Sequence, residues 1–191
     1  MAEKINNLTV SIRRLWMRDR ISVVGGSVIA VVLIGLWMLP SVDKKIDAAA
    51  EEVMSLADNV RKDYQTKPSY WGLNTESAIA AGIVPQKMLR KGKIINALGK
   101  QVLIGMGENG ESVMPGVAGF DIVYKNIAQN ICINLLEHKF SEQQNLGLKA
   151  ISVVNDEVIT FSWGGENPLP VDPMQAKKVC KGKSSIIWSF E

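Results

Sequence analysis

From Ile21 to Leu39 no residue carries a charge, and the eight residues before this run hold Arg13, Arg14, Arg18 and Arg20. Counting Pro40, the run is twenty residues long. A helix of that length rises roughly 30 Å, the thickness of the hydrocarbon layer of a bilayer. Ile21, Val28, Val31, Trp37 and Leu39 are among its apolar side chains. Trp16 and Trp37 stand near its two ends, where indoles favour the headgroup region. The reading is one membrane-spanning helix over 21–40, with the basic segment 1–20 on the cytoplasmic side and residues 41–191 exported. Two rivals exist. A removed secretory signal has a shorter apolar region and a small-x-small cleavage site, whereas Trp37-Met38-Leu39-Pro40-Ser41 follows here. A soluble core helix is the other rival, and a run this long and this uniformly apolar fits a bilayer better than the core of a domain of this size.

The roughly 150 residues that remain suffice for one domain with its own core. Net charge is +3 overall. Residues 1–20 hold five cations against Glu3 and Asp19, so the exported part is close to neutral. That balance argues against a nucleic-acid-binding face, which needs clustered cations. Both cysteines, Cys132 and Cys180, fall in the exported part, where they most simply pair with each other. The bridge would close a loop of about fifty residues and contribute at most about 4 kcal/mol by the chain-entropy argument. The alternative is two buried thiols. Zinc needs three or four ligands, and His138 is the single histidine, so no metal or other cofactor is expected.

Beyond Pro40 an amphipathic helix is expected. Ile46, Val53 and Val60 recur every seven residues, and Ala49, Leu56 and Ala57 fill the same stripe. Asp43, Lys44, Lys45, Glu51, Glu52, Asp58, Arg61 and Lys62 are assigned to the other faces. The pattern ends near Tyr64, ahead of Pro68. Asn74 or Thr75 can cap a short helix that ends at Gly82. The stretch 86–100, with Lys87, Arg90, Lys91, Lys93 and Lys100, reads as a solvated basic loop, with a binding patch as the alternative. Strands are expected at 102–104, 120–124, 150–154, 158–161 and 184–190. The glycine-rich segment from Gly105 to Gly119 reads as a loop. A helix is expected from Ile127 to Phe140, with Ile127, Ile131, Leu135 and Leu136 on one face. Another is expected from the cap Asp172 through Pro173 to Cys180. The fold class is therefore α+β. The stripe Ile46, Val53, Leu56 and Val60 packs on a mainly antiparallel sheet of four or five strands.

This order of elements resembles the type IV pilins, and local residues resemble the type IVb group. Tyr70-Trp71-Gly72-Leu73-Asn74, then Ala78 to Pro85, is similar to the segment after the long helix of those proteins. Phe120, Ile122 and Tyr124, then Asn126 and Gln129 ahead of Cys132, resemble the strand that leads to their cysteine-bearing helix. Ala176 and Cys180, followed by Ile186, Trp188 and Phe190, resemble their C-terminal disulfide and closing strand. The resemblance covers roughly residues 41–191. It implies a pilin-like exported domain and a Cys132–Cys180 bridge.

The N-terminal segment departs from that pattern. Type IV pilins are cut after a glycine, and the fifth residue of the mature chain is usually glutamate. The candidates here are Gly25 and Gly26, with Ser27 following. A cut after Gly26 puts Val31 in the glutamate's place, and a cut after Gly25 puts Ala30 there. In a fibre core a carboxylate needs a partner, commonly a neighbour's terminal amine, because an unpaired buried charge is costly. Without it, register between subunits is less firmly set.

Three functions follow. The first is a structural, minor subunit of a type IVb pilus or a related secretion or conjugation apparatus. The second is a permanently anchored scaffold of the assembly machine. The third is a membrane-anchored enzyme or sensor. The first implies other pilin-like or apparatus subunits as partners, copies of the chain included, together with membrane lipid and no direct nucleic-acid contact. It places the chain in the inner membrane with a periplasmic domain, or in a surface fibre after processing. Catalytic signals are poor. Gly182-Lys183-Ser184 lacks the earlier glycine and the following helix of a phosphate-binding loop. His138 stands alone, and Asp156-Glu157 and Glu51-Glu52 read as turn and helix surface. Trp71, Trp163 and Trp188 read as packing residues, with an adhesive surface as the alternative.

Overall fold

A computed structural model describes residues 41–105, 119–138 and 147–191. The expected membrane run 21–40, the processing residues Gly25, Gly26 and Ser27, the run residues Ile21, Val28, Val31, Trp37 and Leu39, and most of the glycine-rich loop lie outside the described residues. No helix among the described residues is long and apolar enough to cross a membrane.

The 3.6-residue stripe produces helix α1, Val42–Tyr64. Its inward face, Ile46, Ala49, Ala50, Val53, Leu56, Ala57 and Val60, is almost wholly removed from solvent. The chain then turns through 65–74 into α2, Thr75–Ala80. Asn74 caps that helix: its side chain accepts from the Ser77 amide, and the Ser77 hydroxyl accepts from the Asn74 amide. This reciprocal arrangement satisfies two donors that a helix start otherwise leaves open. Gly82, just past the helix, has φ +72°, which a residue without Cβ adopts at no steric cost.

Residues 86–100, expected as a loop, instead fold as a small antiparallel hairpin. Strand β1 is Leu89–Arg90 and β2 is Lys93–Ile94, with Leu89 opposite Ile94 and Arg90 opposite Lys93. The main sheet follows: β3 (Val102–Gly105), β4 (Phe120–Ala128), β5 (Leu148–Val154), β6 (Val158–Ser162) and β7 (Lys183–Phe190). The spatial order is β3-β4-β7-β5-β6, every pair antiparallel. Alternation decides which side chains meet the helix. Phe120, Ile122 and Tyr124 from β4 join Ile186, Trp188 and Phe190 from β7, Ile151 and Val153 from β5, and the α1 stripe in one core. Tyr124 meets Trp188 edge-on, ring centroids 4.9 Å apart. Thr75 ties α2 to the edge strand: its hydroxyl accepts from the Ile104 amide at 3.0 Å and donates to the Ile104 carbonyl at 3.2 Å.

Strand β4 is longer than the sequence pattern indicates. Its pairing with β7 shifts register between Tyr124 and Ile127, and Asn126 sits at φ +57°. Such an irregularity carries the strand past a point where alternation breaks, and asparagine tolerates the left-handed region better than most residues. The expected helix over 127–140 is corrected accordingly. Ile127 belongs to β4 and is fully buried there, and α3 spans Gln129–Glu137, burying Cys132, Leu135 and Leu136. The last helix, α4, is Pro173–Val179. The Asp172 carboxylate caps it by accepting from the Met174 and Gln175 amides. All these elements belong to one unit, Val42–Glu191.

Candidate functional site: a helix–sheet seam and its clasp

Residues singled out by sequence meet at two joints around α1, and a third joint ties α1 to residues that sequence reasoning did not pick out. The first joint is the seam itself. Ile46, Val53, Leu56 and Val60 are buried with the sheet residues named above. At the far end of α1 an aromatic chain continues the seam. Tyr64 stacks on Tyr70 (5.3 Å between centroids), Tyr70 meets Phe120 (4.9 Å) and Phe120 stacks on Phe190 (5.4 Å). Arg61 lies over the Phe190 ring, 5.9 Å from its centroid, and donates through Nε to the main-chain oxygen of Glu191 at 2.9 Å.

The second joint is covalent. Cys132 of α3 and Cys180, the residue that ends α4, form a disulfide with 5.9 Å between Cα atoms. Both cysteines are fully buried. The bridge fastens the two short helices to each other. Asn155, in the turn between β5 and β6, donates to the Val179 carbonyl at 2.7 Å and so ties the same helix end to the sheet. His138, at the end of α3, brings Nε2 to 3.7 Å from Asp47 Oδ1 on α1. That contact is an ion pair only when the imidazole is protonated.

The third joint is polar and was hidden in the sequence. Glu52, assigned to an outer face with Glu51, is 6% exposed, and this corrects that assignment. Its Oε2 accepts from the Ala97 amide at 2.8 Å. Burial raises the carboxyl pKa above its ordinary value, while the Ala97 amide and the charges of Lys87 and Arg90 pull it back. Three residues earlier, the Ala49 carbonyl accepts from the Tyr124 hydroxyl at 2.9 Å. Burial and the neighbouring Glu52 charge push that phenol well above its usual range, with Asn96 opposing, so it stays a donor. Asn96 is buried, and its Oδ1 accepts from the Leu98 and Lys100 amides, which fixes the turn that carries Ala97 to Glu52. Local periodicity does not separate Glu52 from Glu51; its place inside is set by the Ala97 amide, 45 residues along the chain.

The other candidates disperse. Trp188 is fully buried and Trp163 is half-buried, donating its indole N–H to the Leu148 carbonyl at 2.8 Å. Trp71 is 84% exposed, in the loop after α1. Gly182 leads into strand β7, not into the helix a phosphate loop requires. Among the described residues no group of three or more His, Cys, Asp or Glu side chains is placed to hold a metal ion. What the arrangement does is mechanical: it fixes one helix rigidly to a sheet and pins the sheet's outer helices together.

Residues 43–189 match the family described as PilS N terminal. No curated protein matches the chain by sequence. Among solved structures, the type IVb pilin from Salmonella typhi matches with TM-score 0.50 and 16% identity, covering 75% of this chain and 97% of that one. TcpA, a type IV pilin from the Vibrio cholerae El Tor biotype, matches with TM-score 0.53 and 15% identity, covering 78% of this chain and 99% of that one. The architecture, a long helix laid on an antiparallel sheet, is the pilin fold.

Proposed function

We propose that this chain, which belongs to the PilS N-terminal family, is a structural subunit of a type IV pilus or of a related secretion or conjugation apparatus. It is a type IVb pilin-like protein. The observation that carries the proposal is the seam: the apolar face of α1 is buried in one core with the sheet, and the two short helices beside it are bridged by Cys132–Cys180. A subunit that must survive shear in a fibre benefits from such a fixed helix.

In this reading the run 21–40 holds the chain in the inner membrane before processing, and the part of it that follows the cut lies in the fibre core afterwards. Residues 41–191 form the body outside the cytoplasm and then the fibre surface. Its partners are other pilin-like or apparatus subunits, further copies of itself, and membrane lipid. The role is structural, with no catalytic step. The uncharged Ala30 and Val31 favour a minor subunit over the repeating one, since neither supplies a carboxylate to set register. Mass spectrometry of the protein from membranes tests processing. A mature chain beginning at Gly26 or Ser27 is expected, and an intact 1–26 segment overturns assembly by the usual route.

The same missing carboxylate supports a second reading, a permanently anchored scaffold of the assembly machine. It is separated from the first by recovery in sheared filaments, from which a scaffold is absent.

A further inference from the structure

The hairpin β1–β2 is the part of the molecule that the seam does not explain. Lys87, Arg90, Lys91 and Lys93 are exposed, and Lys100 follows within the next turn. From Ser77 to Gly107 the sequence has no acidic residue. None of these five cations lies in an ion pair among the described residues. Lys87 and Arg90 act on the Glu52 carboxylate, which is buried and committed to the Ala97 amide.

The local geometry works against this charge density. Arg90 and Lys93 stand directly opposite each other, and like charges at such a pair destabilise a ladder. The two-residue turn between them, Lys91-Gly92, has φ +51° and +74°. Turns of that kind favour asparagine, aspartate or glycine at the first position, and lysine is a poor choice. The hairpin is nevertheless held firmly. Met88 and Ile94 are fully buried, and the Ile95 amide donates to the Met88 carbonyl at 2.8 Å. A rigid tip that keeps cations where folding alone would not put them points to a ligand that needs them.

Chemistry and position narrow that ligand. No aromatic residue lies within 86–100, so no platform exists for stacking bases. The tip exposes no large apolar side chain to insert into a partner. Along α1, the segment leading to the hairpin is held at Asn59, whose side-chain amide donates to the Ile83 carbonyl, and the segment leaving it is held at Glu52. The chain therefore runs back towards the start of α1. Glu52 is about 15 Å along the helix from Val42, two residues past the apolar run.

We infer that this hairpin is a contact for anionic phospholipid headgroups, resting the exported domain on the membrane that anchors it before assembly. The inference rests on the anchoring in the reading above. Lysines and arginines near an anionic bilayer surface are attracted over about a Debye length, and the attraction is lost in high salt. Lys177 and Lys178, in the last turn of α4, lie on a different element and serve as the internal comparison.

The test uses the full chain in nanodiscs of pure phosphatidylcholine or pure phosphatidylglycerol, with an amine-acylating reagent read residue by residue by mass spectrometry. In phosphatidylglycerol, acylation of Lys87, Lys91 and Lys93 slows about tenfold, and high salt restores it, while Lys177 and Lys178 react alike in both discs. Lys91→Gly weakens the protection of Lys87 and Lys93 yet raises the unfolding midpoint, because the strained position is relieved. Equal acylation in both discs, with the chain co-eluting with each, overturns the lipid contact and leaves the anchoring reading standing. A chain that co-elutes with neither disc overturns both. If duplex DNA added to the phosphatidylcholine discs protects the same lysines as well as phosphatidylglycerol does, the partner is nucleic acid and the lipid assignment fails.

Discussion

The inward face of α1 and the hairpin β1–β2 are neighbours held by opposite means. The helix face is continuous, apolar and buried from Ile46 to Val60. The hairpin buries little besides Met88 and Ile94, and depends on Glu52 and Asn96 for its seat. Burial of apolar area is non-directional and grows with the surface removed from water. A polar seat depends on a few bonds of fixed geometry, each worth little net but costly to break halfway. The seam therefore gives the domain its stability, and the polar seat gives the hairpin its position.

The comparison breaks most sharply at Val53. Val53→Asp places a carboxylate in the middle of the seam with no partner, and a loss of about 3–5 kcal/mol is expected. Urea denaturation followed by circular dichroism checks it, and a midpoint unchanged from the parent would mean the helix face is not part of the core. Next in size is the clasp. Replacing both Cys132 and Cys180 by serine costs about 2–4 kcal/mol, and added reductant then has no further effect on the midpoint.

Smaller effects sharpen the polar side. Tyr124→Phe removes the hydroxyl that donates to the Ala49 carbonyl and costs about 1 kcal/mol, with the apolar ring kept in place. Glu52→Gln keeps an acceptor for the Ala97 amide but cannot ionise. The folded-state pKa of Glu52 is raised, so its contribution is complete below the ordinary value of 4.5 and is lost as pH rises through the raised pKa. Thermal unfolding as a function of pH should show the glutamine variant gaining on the parent above about pH 4.5 and levelling off once Glu52 is fully ionised. Parallel curves across that range would mean the carboxyl is not buried in the folded state.

The same contrast explains what was legible in the sequence. Helix α1, the five main strands and the Asp172 cap of α4 all announce themselves through periodicity or a cap residue, because each buries a face or satisfies a helix end with local chemistry. The cysteines pair because the sheet brings α3 and α4 together, and the sequence supplied only their number and compartment. Three features were concealed for physical reasons. Strands of two residues show no alternation, and Lys91-Gly92 is not a typical hairpin turn, so β1 and β2 read as loop. Glu52 is inside because Ala97, far along the chain, brings it an amide. Ile127 joins β4 because the irregularity at Asn126 lets the strand run on where the apolar spacing already looks helical.

The proposal of a pilus subunit is tested most directly by shearing filaments from cells that make the protein and measuring, by mass spectrometry, peptides from residues 42–191 in the filament and membrane fractions. The account predicts that these peptides are recovered with the filaments. Their confinement to the membrane fraction, in cells that bear intact filaments, would contradict it.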